Sequence, residues 1–598
     1  MERYRQKGLS WATSNPPHLS TLRMTFNVIG CVLSFPAYWL TTVHCRWPIT
    51  VDLVVTIGLA ELARYVNEGR RMAYYDADLK PSAKRKKDDL EKAMLQISSQ
   101  MPRLDCMAAV VGWREDPALF TRALESYKRA KGCIFLLVGV DGDEAEDEDM
   151  VTVFNRVYPR ESAVIHVPEP LGEVAQAVRL REVARWQNSG NRVNEAECDQ
   201  VAIEHCLQVA RKLLSENDIR LRGPGAISQL CLRQQHMHKK GIMFTSFIFS
   251  LIIAETLDVE FLWSSDSDTL VQEDSLSRTV DAIAADPTIG GASSGLNLHN
   301  SDETAVTQLA DTVYWGELYL TRSFSAASAT SDCQSGPSSI FRVVTLGPII
   351  MPWYRQTIFG KRMIINEDRH LTTNLLTRGW GVVFASDVLT ATDTPTTLSR
   401  WLRQQVRWAR ATHIEALLQP RVYMVNHPLL FFAMCRRELG PAIAAVATLY
   451  YFVTSRQFMY LSAFDVMLRF VVSFAYNVLR NPHRLSRRSL KWVLPGIFFY
   501  YVPLPAIHVW SLFTLTADGW GTSMRSNSER VKKDSARRAW FETGFFVVWM
   551  GVIAGSVARW LLAHVFVLQN MWDFVFFTLS ISFGSILAWR ITVFNGSK

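Results

Sequence analysis

Apolar residues gather into long runs near both ends of the chain and into short, spaced runs through its middle. Residues 26–43 form an almost uninterrupted apolar run, close to the ~20 residues a helix needs to cross a bilayer core. No small-residue cleavage site follows it, so the pattern does not read as a removed signal peptide. A second run, 49–66, follows at once but carries Asp52 and Glu61. It reads as the return arm of a hairpin through the membrane, or alternatively as a buried amphipathic helix. From about Leu104 to Arg378 the period changes. Met107–Val111, Ile134–Val140, Ala163–Val167, Phe261–Trp263 and Val382–Ala385 predict buried strands that alternate with helical stretches, several of them ending at acidic residues. That alternation implies a mostly parallel sheet with its site at the strand C-termini. The charged stretch 172–217 reads as a helical insertion with no catalytic pattern. Beyond Trp408, apolar runs return at 439–453, 459–478, 492–515, 541–562 and 565–589.

Charge refines this picture. Arg3, Arg5, Lys7 and Arg23 precede the first run, and Arg70, Arg71, Lys80 and Lys84 to Lys87 follow the second, so both flanks read as cytosolic. The run 492–515 has cations on both sides, from Arg480 to Lys491 before it and from Arg525 to Arg538 after it. Pro495, Gly496, Pro503 and Pro505 interrupt it. A re-entrant or interfacial helix pair resolves the conflict, and leaves six crossings with a cytosolic C-terminus.

The 598 residues are too many for one compact core. A net charge of +8 would suit nucleic acid, but the Lys and Arg residues cluster beside apolar runs, which is the pattern of membrane loops. The expected organisation is therefore a cytosolic N-terminus (1–24), a transmembrane hairpin (25–66), a basic cytosolic linker (67–103), an α/β domain (104–400), interfacial helices (401–435) and a membrane region (436–598). Nine scattered cysteines without a CxxC pair read as reduced thiols rather than a disulfide framework or zinc site.

Three segments carry chemistry. Asp266-Ser267-Asp268 follows a strand, where spaced carboxylates suit Mg2+ or Mn2+. The same spacing recurs at Asp76/Asp78, Asp141/Asp143 and Asp147/Asp149, and only position selects among them; the first lies in the basic linker. The acidic run 141–149 reads as a solvated loop after its first residues. Glu367-Asp368-Arg369-His370 sets a carboxylate pair beside two cations. A carboxylate there can deprotonate a hydroxyl, although a plain salt-bridge cluster is the simpler reading. Gln404-Gln405-Val406-Arg407-Trp408, on a predicted helix, offers an Arg for a diphosphate and a Trp to stack on a sugar ring.

In this order the segments resemble the processive family 2 glycosyltransferases, most closely hyaluronan synthases and related fungal polysaccharide synthases. The resemblance implies a GT-A-like cytosolic domain between helical membrane segments. It further implies a plasma-membrane, multi-pass enzyme that polymerises sugar from a UDP-sugar by an inverting, processive β-transfer, and exports the polysaccharide. Asp368 matches the family's general base, with Glu367 beside it where the family often has Asp. Gly112-Trp113-Arg114-Glu115 resembles the nucleotide-binding turn, with Trp113 where Tyr is commoner. Asp141, with Asp143, ends a strand and offers an acceptor to the N3–H of uracil. Lys239 matches the cation of a Gly-Lys-Arg segment that reaches the diphosphate, and Asp266 and Arg407 complete the donor set. Asp268 and Asp266 would hold the metal. Cys333, Ser335 and Gly336 resemble the acceptor-side loop of hyaluronan synthases, with Gln404 and Trp408 on the acceptor side as well. Trp520-Gly521-Thr522, in the region 517–525, resembles their gating loop. Competing readings are a non-processive transferase acting on a lipid carrier, a chitin-synthase-like enzyme, and a transporter or scaffold. The last of these has no need of a nucleotide-binding α/β domain.

Overall fold

The computed structural model describes residues 20–44, 49–79, 105–284, 286–459, 462–480, 487–517, 536–565 and 571–595. Residues 520–522 of the expected gating loop lie outside them. The middle of the chain folds around one nine-stranded sheet, ordered β3-β4-β2-β1-β5-β8-β7-β11-β6. The strands are β1 (Cys106–Gly112), β2 (Cys133–Asp141), β3 (Ser162–Val167), β4 (Gln229–Gln234), β5 (Phe261–Asp266), β6 (Leu270–Val271), β7 (Ile289–Leu298), β8 (Ser339–Arg342) and β11 (Gly381–Thr392). A separate two-stranded ribbon pairs β9 (Thr357–Ile358) with β10 (Lys361–Arg362). All the sheet's pairings are parallel except those of β8 with β5 and β7, and of β6 with β11.

All five strands expected from the sequence are present. Four more, β4, β6, β7 and β8, are not evident there, because Gln229–Gln234 is half polar and Ile289–Leu298 is rich in Gly and Ser. Both nevertheless pair in the sheet, where glycine and serine let neighbours approach closely. A Cβ at Gly291, for example, would collide with the Gln334 side chain at 2.6 Å.

The stretch read as an insertion folds as two helices, Leu171–Asn188 and Glu195–Glu216, which bury Leu171, Ala175, Ile203 and Cys206 in the main core. Under the sheet lies the helix Lys239–Leu257, packed on β1 and β2. By length and composition it could cross a membrane, but 83% of its apolar window is buried inside the protein, against 17% for Thr21–Val43 and 28% for Trp540–His564. Its hydrophobicity is that of a core helix wrapped on all sides.

Among the described residues, the helices Thr21–Val43 and Trp540–His564 and the interrupted helical stretch Ser489–Phe513 are also long and apolar enough to span a bilayer. The third of the expected C-terminal runs breaks at Val502-Pro503, where the helix Arg487–Tyr501 gives way to Leu504–Phe513. Pro503 and Pro505 supply the physical cause, since neither can donate a backbone hydrogen bond. The helix Arg487–Tyr501 lies close against Ala305–Thr312 of the α/β domain, so close that a Cβ at Gly496 would meet Thr312 Oγ1 at 2.5 Å.

The helix beginning at Ile49 runs to Leu79, further than the sequence pattern suggests, and takes in Asp76 and Asp78. Two of its acids, Asp52 and Glu61, have partners. Asp52 pairs with Arg436 at 2.8 Å, and Glu61 accepts from Arg480 Nε at 2.6 Å and Tyr476 at 2.9 Å. Partners from two other helices thus offset the cost of burying these charges.

Candidate functional site

The C-terminal ends of β1 and β5 lie side by side, with Val111 opposite Asp266. Ser267 donates to Glu115 Oε2 at 3.0 Å, which ties the turn after β1 to the Asp266-Ser267-Asp268 segment. A Cβ at Gly112 would overlap Ser267, so this junction requires glycine. From the far side of the sheet, β11 delivers Asp393, whose carboxyl shares a hydrogen bond with that of Asp268.

Lys239 opens the core helix and ties two of the predicted segments together. Its Nζ lies 2.6 Å from Asp266 Oδ1 and 3.0 Å from Glu367 Oε1. Burial would lower the lysine's pKa, but Asp266 and Glu367 together raise it, so the ammonium stays charged. Burial pushes Asp266 and Asp268 upward; Lys239 opposes this in both, and in Asp266 the charge of Asp268 adds to the push. Asp393 rises well above the usual carboxylate range, through burial first and then the charge of Asp268. Three oxygen-donor carboxylates with mutual repulsion form a donor set that suits a hard divalent cation.

Lys240 does not join this cluster. It is fully buried, donates to Met363 O at 3.1 Å and lies over the Trp353 ring. Burial pulls its pKa down to about 7.

Glu367 and Asp368 occupy the first turn of the helix Glu367–Thr377, where backbone N–H groups favour negative charge. Asp368 Oδ1 accepts from Arg369 N at 2.7 Å, and Cys333 Sγ is 3.8 Å from Oδ2. The acceptor-side loop is therefore beside the expected base. Burial, then the charge of Asp368, pushes the Cys333 thiol up to about 12, so it remains protonated. Ser335 Oγ accepts from Arg322. Gly336 approaches the Lys239–Asp266 pair, where a Cβ would stand 2.9 Å from Lys239 Nζ and 3.0 Å from Asp266 Oδ2.

Behind this turn, Glu415 accepts from Asn366 and Gln356, each at 2.7 Å, and faces His370 Nδ1 at 2.9 Å. Glu415 sits on the helix Leu398–Leu418, the same helix that carries Gln404, Arg407 and Trp408. Trp408 meets Tyr314 edge-on, with centroids 5.8 Å apart. Tyr314 also bonds Gln404 and Thr394, and so reaches the neighbourhood of Asp393 and Asp268. It lies in a π-helical turn, Val313–Leu318, a departure from α-geometry that recurs at functional sites. Arg407 is half-buried on the same helix.

The nucleotide-side residues differ from expectation in detail. Trp113 is stacked on His236 with centroids 4.0 Å apart, and Arg114 lies over the indole. Asp141 is buried, with Oδ1 accepting from Gln234 Nε2 and Met237 N at 3.1 Å each. His236 Nδ1 is 3.0 Å from its Oδ2. Burial would lower the His236 pKa, but the hydrogen bond and charge of Asp141 raise it. Asp143 stands exposed at the rim. The reading of 141–149 as a solvated loop fails at Asp147, which is wholly buried and binds Arg114 Nε at 3.0 Å. Arg114, held at φ +48°, turns back to meet it.

His236, Tyr314, Asp393 and Glu415 are the site-shaping residues that sequence reasoning did not single out for a role. Only Asp393 carries a usable signal, since it follows a strand that the sequence predicts; His236 follows β4, which the sequence does not reveal.

The family match defines the class, a glycosyltransferase. The chain belongs to the family described as Glycosyltransferase like family 2, whose model matches residues 102–411. It is similar to hyaluronan synthase 2 of Homo sapiens, 24% identical over 423 residues that cover 70% of this chain and 69% of that one. Hyaluronan synthase 3 of Mus musculus is likewise 24% identical, over 71% of each chain. A solved mannosyltransferase from Pyrobaculum calidifontis, in complex with GDP-Man and Mn2+, aligns with 74% of this chain and 97% of its own at 13% identity and a TM-score of 0.34.

Proposed function

We propose that this glycosyltransferase is a membrane-embedded polysaccharide synthase that takes a UDP-sugar, transfers with inversion and extends one polymer processively. The observation that carries this reading is Lys239, whose single ammonium joins Asp266 at 2.6 Å to Glu367 at 3.0 Å. Donor-side and acceptor-side carboxylates thereby share one buried charge cluster. Similarity to hyaluronan synthases supports a polymeric product over a lipid-linked one.

In this reading Trp113 stacks on the uracil after His236 moves aside, and Asp141 fixes the edge of the base. Lys239 and Arg407 hold the diphosphate. Asp266, Asp268 and Asp393 would hold Mg2+ or Mn2+, which when bound supplies positive charge beside the leaving diphosphate. Asp368 removes the proton from the acceptor hydroxyl as its oxygen bonds to C1 and the C1–O bond to UDP breaks. Lys239 stabilises the charge that develops on the departing UDP. Gln404 and Trp408 position the acceptor sugar, with Cys333, Ser335 and Gly336 forming the opposite wall. Trp520, Gly521 and Thr522 would close over the nucleotide. The membrane helices would carry the polymer out across the plasma membrane, with the catalytic domain on the cytosolic side.

The test is UDP release by the purified protein in detergent against a panel of UDP-sugars, with product length measured alongside. Release with one donor and formation of long chains supports the reading. Release accompanied by a single-sugar lipid product would overturn processivity.

A further inference from the structure

A second constellation of metal-type ligands stands apart from the carboxylate cluster. His413 from the helix Leu398–Leu418, Glu438 from Pro428–Thr454 and His508 from Leu504–Phe513 bring one ligand atom each to within 4.8 Å of one another. His413 is only 1% exposed and His508 5%.

The hydrogen bonds around His413 assign its protons. Ser511 donates its hydroxyl to His508 O at 2.8 Å. Its oxygen is then an acceptor for His413 Nε2, 2.8 Å away. The same Nε2 faces His508 O at 3.3 Å, and a carbonyl can only accept. His413 therefore carries its hydrogen on Nε2, and Nδ1 points a lone pair at Glu438 Oε2, 2.5 Å distant. Two lone pairs at that distance repel each other, so a positive charge belongs between them. A proton would satisfy Nδ1 and Oε2 alone. The third donor argues for more: His508 Nε2 lies 3.8 Å from the same Oε2, with the two imidazole rings edge to face at 4.4 Å. The other carboxylate oxygen, Oε1, makes no hydrogen bond among the described residues and has only the charge of Arg437 nearby, with Nε 3.6 Å away. A metal-binding histidine whose second nitrogen donates to an oxygen has the usual outer support of a metal ligand, and His413 Nε2 has it in Ser511 Oγ and His508 O.

We propose that His413, Glu438 and His508 bind one divalent transition-metal ion of the zinc type, separate from any donor-site cation. Two imidazoles and a carboxylate match the ligands Zn2+ prefers and are too nitrogen-rich for Mg2+. With bonds of about 2.0–2.1 Å, a tetrahedral shell spaces its donors roughly 3.3 Å apart. The 2.5 Å pair must open slightly and the 3.8 Å pair must close slightly to reach it. The ion would clasp the Gln404–Trp408 helix to the membrane-side helix and to the segment leading to 517–525. Arg410, one turn before His413, already reaches across the same seam to Thr514 Oγ1 at 2.8 Å and Ala517 O at 3.4 Å. The inference stands on the ligand geometry and does not depend on the donor or the product.

The test uses full-length protein in detergent, purified without a metal-affinity tag and equilibrated with excess Mg2+. Co2+ is then titrated as the probe. A single equivalent should give the visible absorption of low-coordinate Co2+ with nitrogen ligands, and Zn2+ should displace it. His413→Gln and His508→Gln should each lose that signal, whereas Asp268→Asn should keep it. No such signal in the wild-type protein overturns the proposal, even if a variant fails to fold. A signal that survives both histidine substitutions, or that disappears with Asp268→Asn, also overturns it.

Discussion

Arg369 donates to Asp332 at 2.8 Å, which binds the residue after the proposed base to the residue before Cys333. Asp332 also pairs with Arg437, on the helix that leads into the membrane region. Burial alone would raise the Asp332 carboxyl, but the two guanidiniums hold it far below the usual range. The acceptor-side loop, the base helix and a membrane-side helix therefore meet at one carboxylate.

Asp332→Asn should disturb all three. The amide keeps the shape but leaves two largely buried guanidiniums without their counter-charge, a loss that costs up to about 3–5 kcal/mol. Thermal unfolding in detergent should shift downward and kcat should fall, because Cys333 and Asp368 lose their common anchor. An unchanged melting curve would show that solvent already compensates the pair.

Asp368→Asn tests the chemistry itself. The amide cannot take the acceptor proton, and loss of a general base typically costs about a hundred- to ten-thousand-fold in rate. UDP binding, measured by calorimetry, should remain close to wild type. Near-normal polymer synthesis in this variant would remove Asp368 from the role.

Asp268→Asn separates the metal-type cluster from other acidic pairs. It should raise the Mg2+ or Mn2+ concentration needed for activity and weaken UDP-sugar binding. Asp76→Asn, on the long helix Ile49–Leu79, should do neither. Equal effects at both positions would count against the choice of Asp266-Ser267-Asp268.

Lys240 gives a pH prediction. Its pKa falls to about 7, chiefly through burial, while the unfolded chain keeps the ordinary lysine value of 10.5. Between these values the unfolded chain binds a proton that the folded chain does not, so this group's contribution to stability rises with pH. Lys240→Met removes the charging penalty. Its melting temperature should change less than the wild-type value between about pH 7 and about pH 9. A parallel rise in both proteins would mean that the ammonium is charged in the folded state.

The broken segment 487–513 gives a topological prediction. If it enters and leaves on one side, single cysteines at Ser486 and Ser526 should both be labelled only from the cytosolic face. Labelling of one site from outside intact cells would establish a crossing and place Trp520 away from the nucleotide.

The sequence by itself determined where the apolar segments lie, five strands of the sheet, and the order of the carboxylate and Gln404–Trp408 segments. Each of these is a local pattern, a run length, a strand end or a short spacing, and so can be read without knowing what packs against it. The tertiary structure decided which charges meet. Lys239 reaches Glu367 across 128 residues, Glu415 supports His370 from another helix, and Asp52 and Glu61 find arginines at 436 and 480. It also turned Lys239–Leu257 from a membrane-like run into a core helix, and Asp147 from a loop acid into a buried partner of Arg114. A charge or an apolar face has no fixed meaning until its partner is known: burial penalises an unpaired ion heavily, and long-range packing alone supplies the pairing.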